Sequence, residues 1–182
     1  MQETAATKPK PVTCWRYAIP NVHHQGWAIV HIDSSGFLGV VSDFGNYAHQ
    51  WVSWGDKDFR EFLLELGRTD KDYLHSKLGR RTCFDRAATA QAFREDILEG
   101  RRQNGYDQKT ARQLWDAVAE FLDDDHSADW LLENTSAIVD GWEMLRYDYE
   151  SLLRGFVQHV WPRIQAAIRE DLTREAIPSG VS

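Results

Sequence analysis

The sequence predicts an α+β fold, with an antiparallel three- to four-stranded β-meander over about residues 13–54 packed against a helical part over about residues 56–173. Two observations predict this class. Runs rich in β-branched and aromatic residues come first, separated by short glycine-containing turns. After Asp56 the apolar residues recur with the 3.6-residue period of a helix. Strands followed by helices are typical of α+β domains whose helices cover one face of the sheet.

Four β-prone segments make up the predicted meander: TCWRYAI (13–19), WAIVHID (27–33), FLGVVSDF (37–44) and YAHQWVSW (47–54). We expect a three-residue turn at Ser34–Gly36, with the glycine in the left-handed region, and a two-residue hairpin turn at Gly45–Asn46. These turns fix the register and place Val40 opposite both Val30 and Trp51.

The register assigns the strand residues to two faces of the sheet. The apolar face is expected to meet the helices and carries Ala28, Val30, Ile32, Leu38, Val40, Phe44 and Trp51. The other face is mixed and carries Trp27, Ile29, His31, Val41, Gln50, Val52 and Trp54. His31 and His49 are therefore expected on opposite faces.

Helical segments are predicted over the rest of the chain from apolar stripes, capping residues and glycine stops. Their approximate ranges are 59–66, 69–79, 85–100, 107–122, a short piece after Ser127, and 142–173. Asn104–Gly105 separates the third from the fourth. Pro162 lies inside the last one and predicts a kink or break near Val160–Trp161.

The length of 182 residues fits one domain over residues 12–174, with a disordered tail at 1–11 and a flexible tail at 175–182. Hydrophobic residues make up 42% of the chain, which is enough for a sizeable core. The net charge of −7 argues against direct binding to nucleic acid or to an anionic membrane surface. Cys14 and Cys83 form no C-x-x-C pair and suit a reducing cytosol. No apolar run approaches the roughly 18 residues of a membrane span.

Catalytic signatures are absent from the sequence: it has no G-x-G-x-x-G, Walker A, G-x-S-x-G or H-E-x-x-H motif. The histidines lack the close spacing of a zinc site, so we expect no metal, no cofactor and no catalytic residue. One enzymatic alternative stays open, a small metal-dependent hydrolase using Asp43, Asn46 and His49 on the hairpin. It fails if Asp43 and His49 point to opposite faces.

Two groups of side chains are candidates for binding a partner protein. Trp27, His31, Gln50 and Trp54 are expected on the mixed face of the sheet, where aromatic residues beside polar ones are typical of an interface. The acidic turn Asp123, Asp124 and Asp125 is the second candidate. Most acidic runs are solvated helix ends, and this one lacks the spacing of a calcium loop.

A family resemblance rests on VVSDFGNYAHQW (40–51), DFREFLLELGRTDKDYLHSKLG (58–79) and GWEMLRYDYESLLRGFVQHVWP (141–162). These segments resemble small accessory proteins of tailed phages and prophages, which share a strand, a GN(Y/W) hairpin, FxxFL and YLxxKL. The resemblance covers about residues 27–80 and 140–165. It implies a fold and a lineage, and it transfers no catalytic residue. Accessory genes of this kind often encode inhibitors of host defence, including anti-CRISPR proteins.

The resemblance therefore implies a phage or prophage protein in the cytoplasm of the bacterial host, and we expect a binding protein rather than an enzyme. Its expected partner is a host protein, such as a nucleic-acid-binding defence effector, whose activity it inhibits. The other alternative is a homo-oligomeric phage structural or regulatory component that associates through the kinked C-terminal helix. The sequence leaves the oligomeric state open.

Overall fold

The computed structural model describes residues 11–67 and 71–177. A four-stranded antiparallel sheet precedes the helices, which confirms the α+β class. The elements in this part of the chain are β1 (Cys14–Ile19), β2 (Ala28–Asp33), β3 (Phe37–Ser42), β4 (Gly45–Gln50), α1 (Phe59–Glu65), α2 (Lys71–Leu78), β5 (Arg81–Phe84), α3 (Arg86–Arg102), α4 (Gln108–Asp123), α5 (Ala128–Asn134), a 3₁₀ turn (Gly141–Met144), β6 (Tyr147–Tyr149), α6 (Ser151–Gly155), a π-helical turn (Phe156–Val160) and α7 (Trp161–Ala176).

Contacts within the chain divide it into two compact units. Unit 1 comprises residues 1–80 and 149–182, and unit 2 comprises residues 81–148. Helix α7 continues to Ala176, so the first two residues of the predicted C-terminal tail are helical. Residues 1–10 and 178–182, where most of both predicted tails fall, lie outside the described residues.

Unit 1 is built on the sheet, whose strands lie in the order β1-β2-β3-β4. Its inner face joins one apolar core with α1, α2, α6, the π turn and α7. The core contains Ile19, Ala28, Val30, Ile32, Leu38, Val40, Trp51, Phe59, Leu63, Leu66, Leu74, Tyr149, Leu153, Phe156, Val157, Val160, Trp161, Ile164 and Ile168. Strand residues of this face alternate with exposed ones, as expected when helices cover one side of a sheet.

The register between β2 and β3 is the predicted one, with Val30 opposite Val40. Gly36 closes the three-residue turn between these strands at a φ of 92°. The predicted turn between β3 and β4 is wrong, because Ser42 pairs with Gly45 and Val40 pairs with Tyr47 instead of Trp51. The two turn residues are therefore Asp43 and Phe44.

The Ser42 hydroxyl explains why the turn forms two residues earlier than Gly45–Asn46. It donates to the Gly45 carbonyl at 2.8 Å and accepts the Phe44 N–H at 3.2 Å. The Tyr47 hydroxyl adds a bond to the Phe44 carbonyl. Gly45 takes the positive φ of 119° immediately after the turn. The cross-strand partner of Val40 is four residues earlier in the chain than predicted. Because four is an even number, the residues of β4 still lie on the faces of the sheet that were predicted for them.

Strand β4 ends at Gln50, although the sequence predicts a strand to residue 54. Val52 is 94% exposed outside the sheet, and Trp54 packs against the Phe59 ring of α1 at 5.1 Å. The Trp54 indole N–H donates to the Lys57 carbonyl at 3.2 Å. Trp54 is therefore not on the outer face of the sheet, where the predicted strand placed it.

The predicted helix over 142–173 is also wrong in its first part, which forms the 3₁₀ turn and β6. The predicted irregularity near Pro162 is confirmed as the π-helical turn, in which the Trp161 N–H bonds to the Phe156 carbonyl. Proline has no N–H, and its ring clashes with the carbonyl four residues earlier, so a wider turn before it relieves the clash.

Among the described residues of unit 1, Arg60 is the most buried charged side chain, at 3% exposure. Its guanidinium donates to the carboxylate of Asp58, the N-cap of α1, and to the carboxylates of Asp171 and Glu175 near the end of α7, at 2.7–3.1 Å for the closest contacts. It also lies 4.2 Å from the centre of the Trp15 ring on β1. One cation therefore ties β1, α1 and α7 together.

Unit 2 has its own apolar core between α3, α4 and α5. The N-caps Asp85, Asp107 and Ser127 each accept a backbone N–H in the first turn of their helix. Asn104, at a φ of 57°, lies in the predicted break between α3 and α4. The Arg86 side chain binds the carbonyls of Phe121, Asp124 and His126, which satisfies the open C-terminal end of α4.

Replacing Arg60 with methionine is expected to lower the free energy of unfolding by about 3 kcal/mol, because three neighbouring carboxylates lose their common cation. This value is at the low end for a broken buried ion pair, since Glu175 is half exposed. Urea unfolding measures the change. The control is Arg112→Met, which removes an exposed i,i+4 pair and should change stability by about 0.5 kcal/mol or less.

The Arg60→Met variant should also lose a pH dependence. Hydrogen bonds from Arg60 lower the pKa of both Asp58 and Glu175. Carboxyls with a depressed pKa in the folded state stabilise above their unfolded pKa, near 4, and lose that contribution as the pH falls through the folded pKa. The wild type should therefore weaken more steeply below about pH 4 than the variant. Equal slopes, or equal losses in the Arg60 and Arg112 variants, would contradict the role of Arg60.

Candidate functional site

The outer face of the sheet in unit 1 is the surface that faces away from the core. Cross-strand pairing arranges it in rows. One row contains Ala18, Ile29, Val41 and Asn46, and the next contains Arg16, His31, Gly39 and Ala48. Most of these side chains are exposed, including 46% of Val41. The outer face is therefore an apolar centre, Ile29 and Val41, with polar side chains around it.

Aromatic side chains lie at both ends of this face. Trp27 precedes β2, is 38% exposed, and lies on the side opposite to buried Ala28. At the other end the Phe37 ring covers Gly39, since a Cβ on this glycine would lie 2.9 Å from the ring. The sequence reasoning missed Phe37. The signal that points to it is the glycine two residues later on the same face of the strand, which leaves room for a ring.

The structure separates the four residues predicted to form one patch. His31 lies in the middle of the outer face and is exposed. Gln50 lies at the end with the β2–β3 turn, where its amide donates to the Ser35 carbonyl at 2.6 Å. Trp54 contacts Gly36 of the same turn from the helix side. Trp27 lies at the opposite end of β2. The rise per residue of a β-strand places it about 20 Å from the β2–β3 turn. Trp27 and His31 thus share the outer face, and Trp54 does not.

The acidic turn lies in unit 2, and its carboxylates are exposed. Asp123 ends α4, Asp124 is its C-cap, and the Asp125 carboxylate pairs with Arg86 at 3.1 Å. The turn is thus fixed by Arg86, with Asp123 and Asp124 directed to solvent.

A possible cation position adjoins this turn, where one atom each of Glu120, Asp124 and His126 lie within 4.8 Å of one another. His126 Nε2 is 3.5 Å from the Glu120 carboxylate and 3.8 Å from that of Asp124, and its ring stacks on Trp130 at 3.9 Å. Both carboxylates are exposed, and the same spacing suits an imidazolium between two carboxylates. The three side chains therefore have the spacing of a divalent-cation site, and no cation is needed to explain that spacing.

The residues of the hydrolase alternative do not converge. His49 lies on the inner face of β4, where its ring contacts Trp51 at 4.4 Å and burial lowers its pKa. Asn46 is exposed on the outer face. Asp43 lies in the turn and accepts the Gly26 N–H at 2.7 Å. His31 and His49 lie on opposite faces, as predicted.

The fold and this surface define the class of protein. It is an α+β protein in which helices cover one face of the sheet and leave the other face exposed. The chain matches the model of the Phage_phiTE_072 family, described as a phage family, over residues 8–170. Because this match spans most of the chain, the chain belongs to that phage protein family. No curated protein and no solved structure shows a significant match. Within residues 11–67 and 71–177, no helix is long and apolar enough to cross a bilayer.

The orientation of β3 can be tested by thiol labelling in a Cys14→Ser, Cys83→Ser background. Val41→Cys is expected to react with a water-soluble disulfide reagent at nearly the rate of the unfolded chain, because Val41 lies on the outer face. Val40→Cys, at a position 3% exposed, is the matched control and should be protected. Equal rates at the two positions would show that the assigned faces are wrong.

Proposed function

We propose that this phage accessory protein acts by binding a host protein through the outer face of its sheet. The observation that supports it is the apolar centre of this face, exposed Val41 beside half-buried Ile29, flanked by the aromatic rings of Trp27 and Phe37. Protein interfaces commonly combine aromatic anchors and a desolvated apolar centre with a polar rim. Here Arg16, His31 and Asn46 supply that rim.

The chemistry of the surface favours a protein as the occupant. Arg16 is the one permanently charged cation in the two central rows, and the whole chain carries a net charge of −7. A nucleic acid or an anionic membrane requires clustered cations to neutralise phosphates. Because the protein belongs to a phage family, the proteins that it meets during infection include those of the host.

A narrower role is inhibition of a host defence system such as CRISPR-Cas. Its support is the phage lineage together with the exposed carboxylates of Asp123, Asp124 and Asp125. Effectors of such systems bind nucleic acid through basic grooves, and an acidic turn is complementary in charge to a groove of this kind. In this narrower role the acidic turn of unit 2 makes a second contact with the partner, in addition to the contact made by the outer face of unit 1.

Val41→Glu is expected to weaken binding to the host partner by about tenfold or more, because a carboxylate is buried without a partner at the centre of the interface. The control is Val52→Glu, the same substitution at a site 94% exposed outside the sheet, which should leave binding unchanged. A photo-crosslinking residue at position 41, with position 52 as its control, identifies the partner in host cells. Titration calorimetry with both purified proteins then measures the affinities.

Several outcomes would overturn the proposal: crosslinks of equal yield at positions 41 and 52, crosslinks only to a second copy of the chain, or equal affinities for the two glutamate variants. The defence role has a separate readout, the plating efficiency of a sensitive phage on hosts with and without a defined CRISPR system. Protection that persists with Asp123→Asn, Asp124→Asn and Asp125→Asn combined would remove the acidic turn from the mechanism.

A further inference from the structure

The connection between β1 and β2 contains an unusual turn of two consecutive histidines. Val22 and Gln25 exchange two backbone hydrogen bonds, from the Val22 N–H at 2.7 Å and from the Gln25 N–H at 3.1 Å. Between them His23 and His24 have φ values of 50° and 67°. Turns of this kind favour glycine and asparagine, because a side chain in the left-handed region is strained. Such strain persists where the surroundings enforce it and is concentrated at functional sites.

The turn is held in place from both sides. The Arg163 guanidinium of α7 donates to the Gly26 carbonyl at 2.6 Å and to the Pro20 carbonyl. The Asp43 carboxylate accepts the Gly26 N–H at 2.7 Å. Gly26 has a φ of 78°, a conformation that favours glycine, and a Cβ at this position would also displace the Arg163 guanidinium, which would lie 2.9 Å from it. These bonds hold both ends of the β1–β2 connection, at Pro20 and Gly26, against Arg163 near the start of α7.

A cleft of about 370 Å³ lies between this turn and the C-terminal helices, within unit 1. We call it the His23 cleft; its lining consists of Val22, His23, Gln25, Gly26, Phe44, His159 and Arg163. His159 belongs to the π-helical turn, a local geometry that is frequent at functional sites. The Phe44 ring lies 6.2 Å from the His159 ring and contacts Gly155. The volume is that of a small-molecule site.

The titratable side chains of the lining are all basic. No carboxylate contributes to it, whereas one guanidinium and two imidazoles do, in a chain whose net charge is −7. Arg163 forms no ion pair within the described part of the chain. A guanidinium has five N–H donors, and the two backbone carbonyls leave the others for a ligand. The Asp43 carboxylate adjoins the cleft without lining it, since it accepts the N–H of the lining residue Gly26.

We propose that the His23 cleft binds a small anionic molecule, with a phosphate or carboxylate group attached to an apolar or planar body. Arg163 binds the oxyanion through its remaining N–H groups, and His23 and His159 add hydrogen bonds from either wall. The Phe44 ring packs against the body of the ligand. The strained turn fixes His23 in position before the ligand arrives, which reduces the entropy lost on binding. This site is separate from the outer face, and it stands or fails independently of host-protein binding.

Three probes distinguish the chemistry: phenyl phosphate, inorganic phosphate and benzoate, each titrated to roughly 10 mM, which saturates a site of millimolar affinity. The measurement is the NMR signals of all histidine rings in the full chain. We expect phenyl phosphate to shift the His23 and His159 signals saturably and to bind more tightly than inorganic phosphate, because Phe44 contributes. Saturable shifts with benzoate, and none with either phosphate, would show that the ligand of the site carries a carboxylate.

Variants test the assignment without relying on Arg163, whose loss also releases two backbone carbonyls. His159→Gln, at an exposed position, should weaken phenyl phosphate binding by about tenfold. Asp43→Asn keeps an acceptor for Gly26 and should strengthen binding, because a nearby negative charge is removed. The control is His31→Gln on the outer face, which should bind phenyl phosphate with the wild-type affinity. Absence of saturable shifts, or shifts spread equally over all histidines, would overturn the proposal.

Discussion

The arrangement of unit 1 depends on the ion-pair network around Arg60. Its guanidinium is almost completely buried, yet it meets carboxylates from the N-cap of α1 and from the last turns of α7. Asp58 lies at the N-terminus of α1, where the helix dipole favours a carboxylate, whereas Asp171 and Glu175 lie near the C-terminus of α7, where the dipole opposes them. A buried cation without these carboxylates would be unfavourable. The network therefore links α1 and α7 to β1 at the edge of the apolar core.

Tyr17 extends the same network to the sheet. Its hydroxyl donates to the Asp171 carboxylate at 2.9 Å, and burial together with this bond raises the pKa of Tyr17 to about 12. The neutral phenol is thus the stable form in the folded protein throughout the physiological range. Helices held on the inner face in this way leave the other side of the sheet open. A rigid inner side and an exposed outer side are the conditions under which a sheet presents a fixed binding surface.

Two surfaces of unit 1 have different chemistry. The outer face is broad and apolar at Ile29 and Val41, which suits another protein. The His23 cleft is small and its titratable lining groups are basic, which suits an anion. The cleft also depends on long-range contacts, since Arg163 reaches back over more than a hundred residues to Gly26. The acidic turn of unit 2, held by Arg86, is complementary to a basic partner.

The sequence by itself determined the fold class, the two faces of the sheet and the break before Pro162, because alternation and helical periodicity record which residues are buried. It also determined the phage lineage. Only the tertiary structure decided the turn at Asp43–Phe44, since the Ser42 and Tyr47 hydroxyls outweigh the local preference of Gly45–Asn46. The tertiary structure likewise placed Trp54 and Trp27 on different surfaces, and it placed His23 and His159 in the lining of one cleft. Contacts between residues distant in the chain leave no periodic signal, so a single sequence could not reveal them.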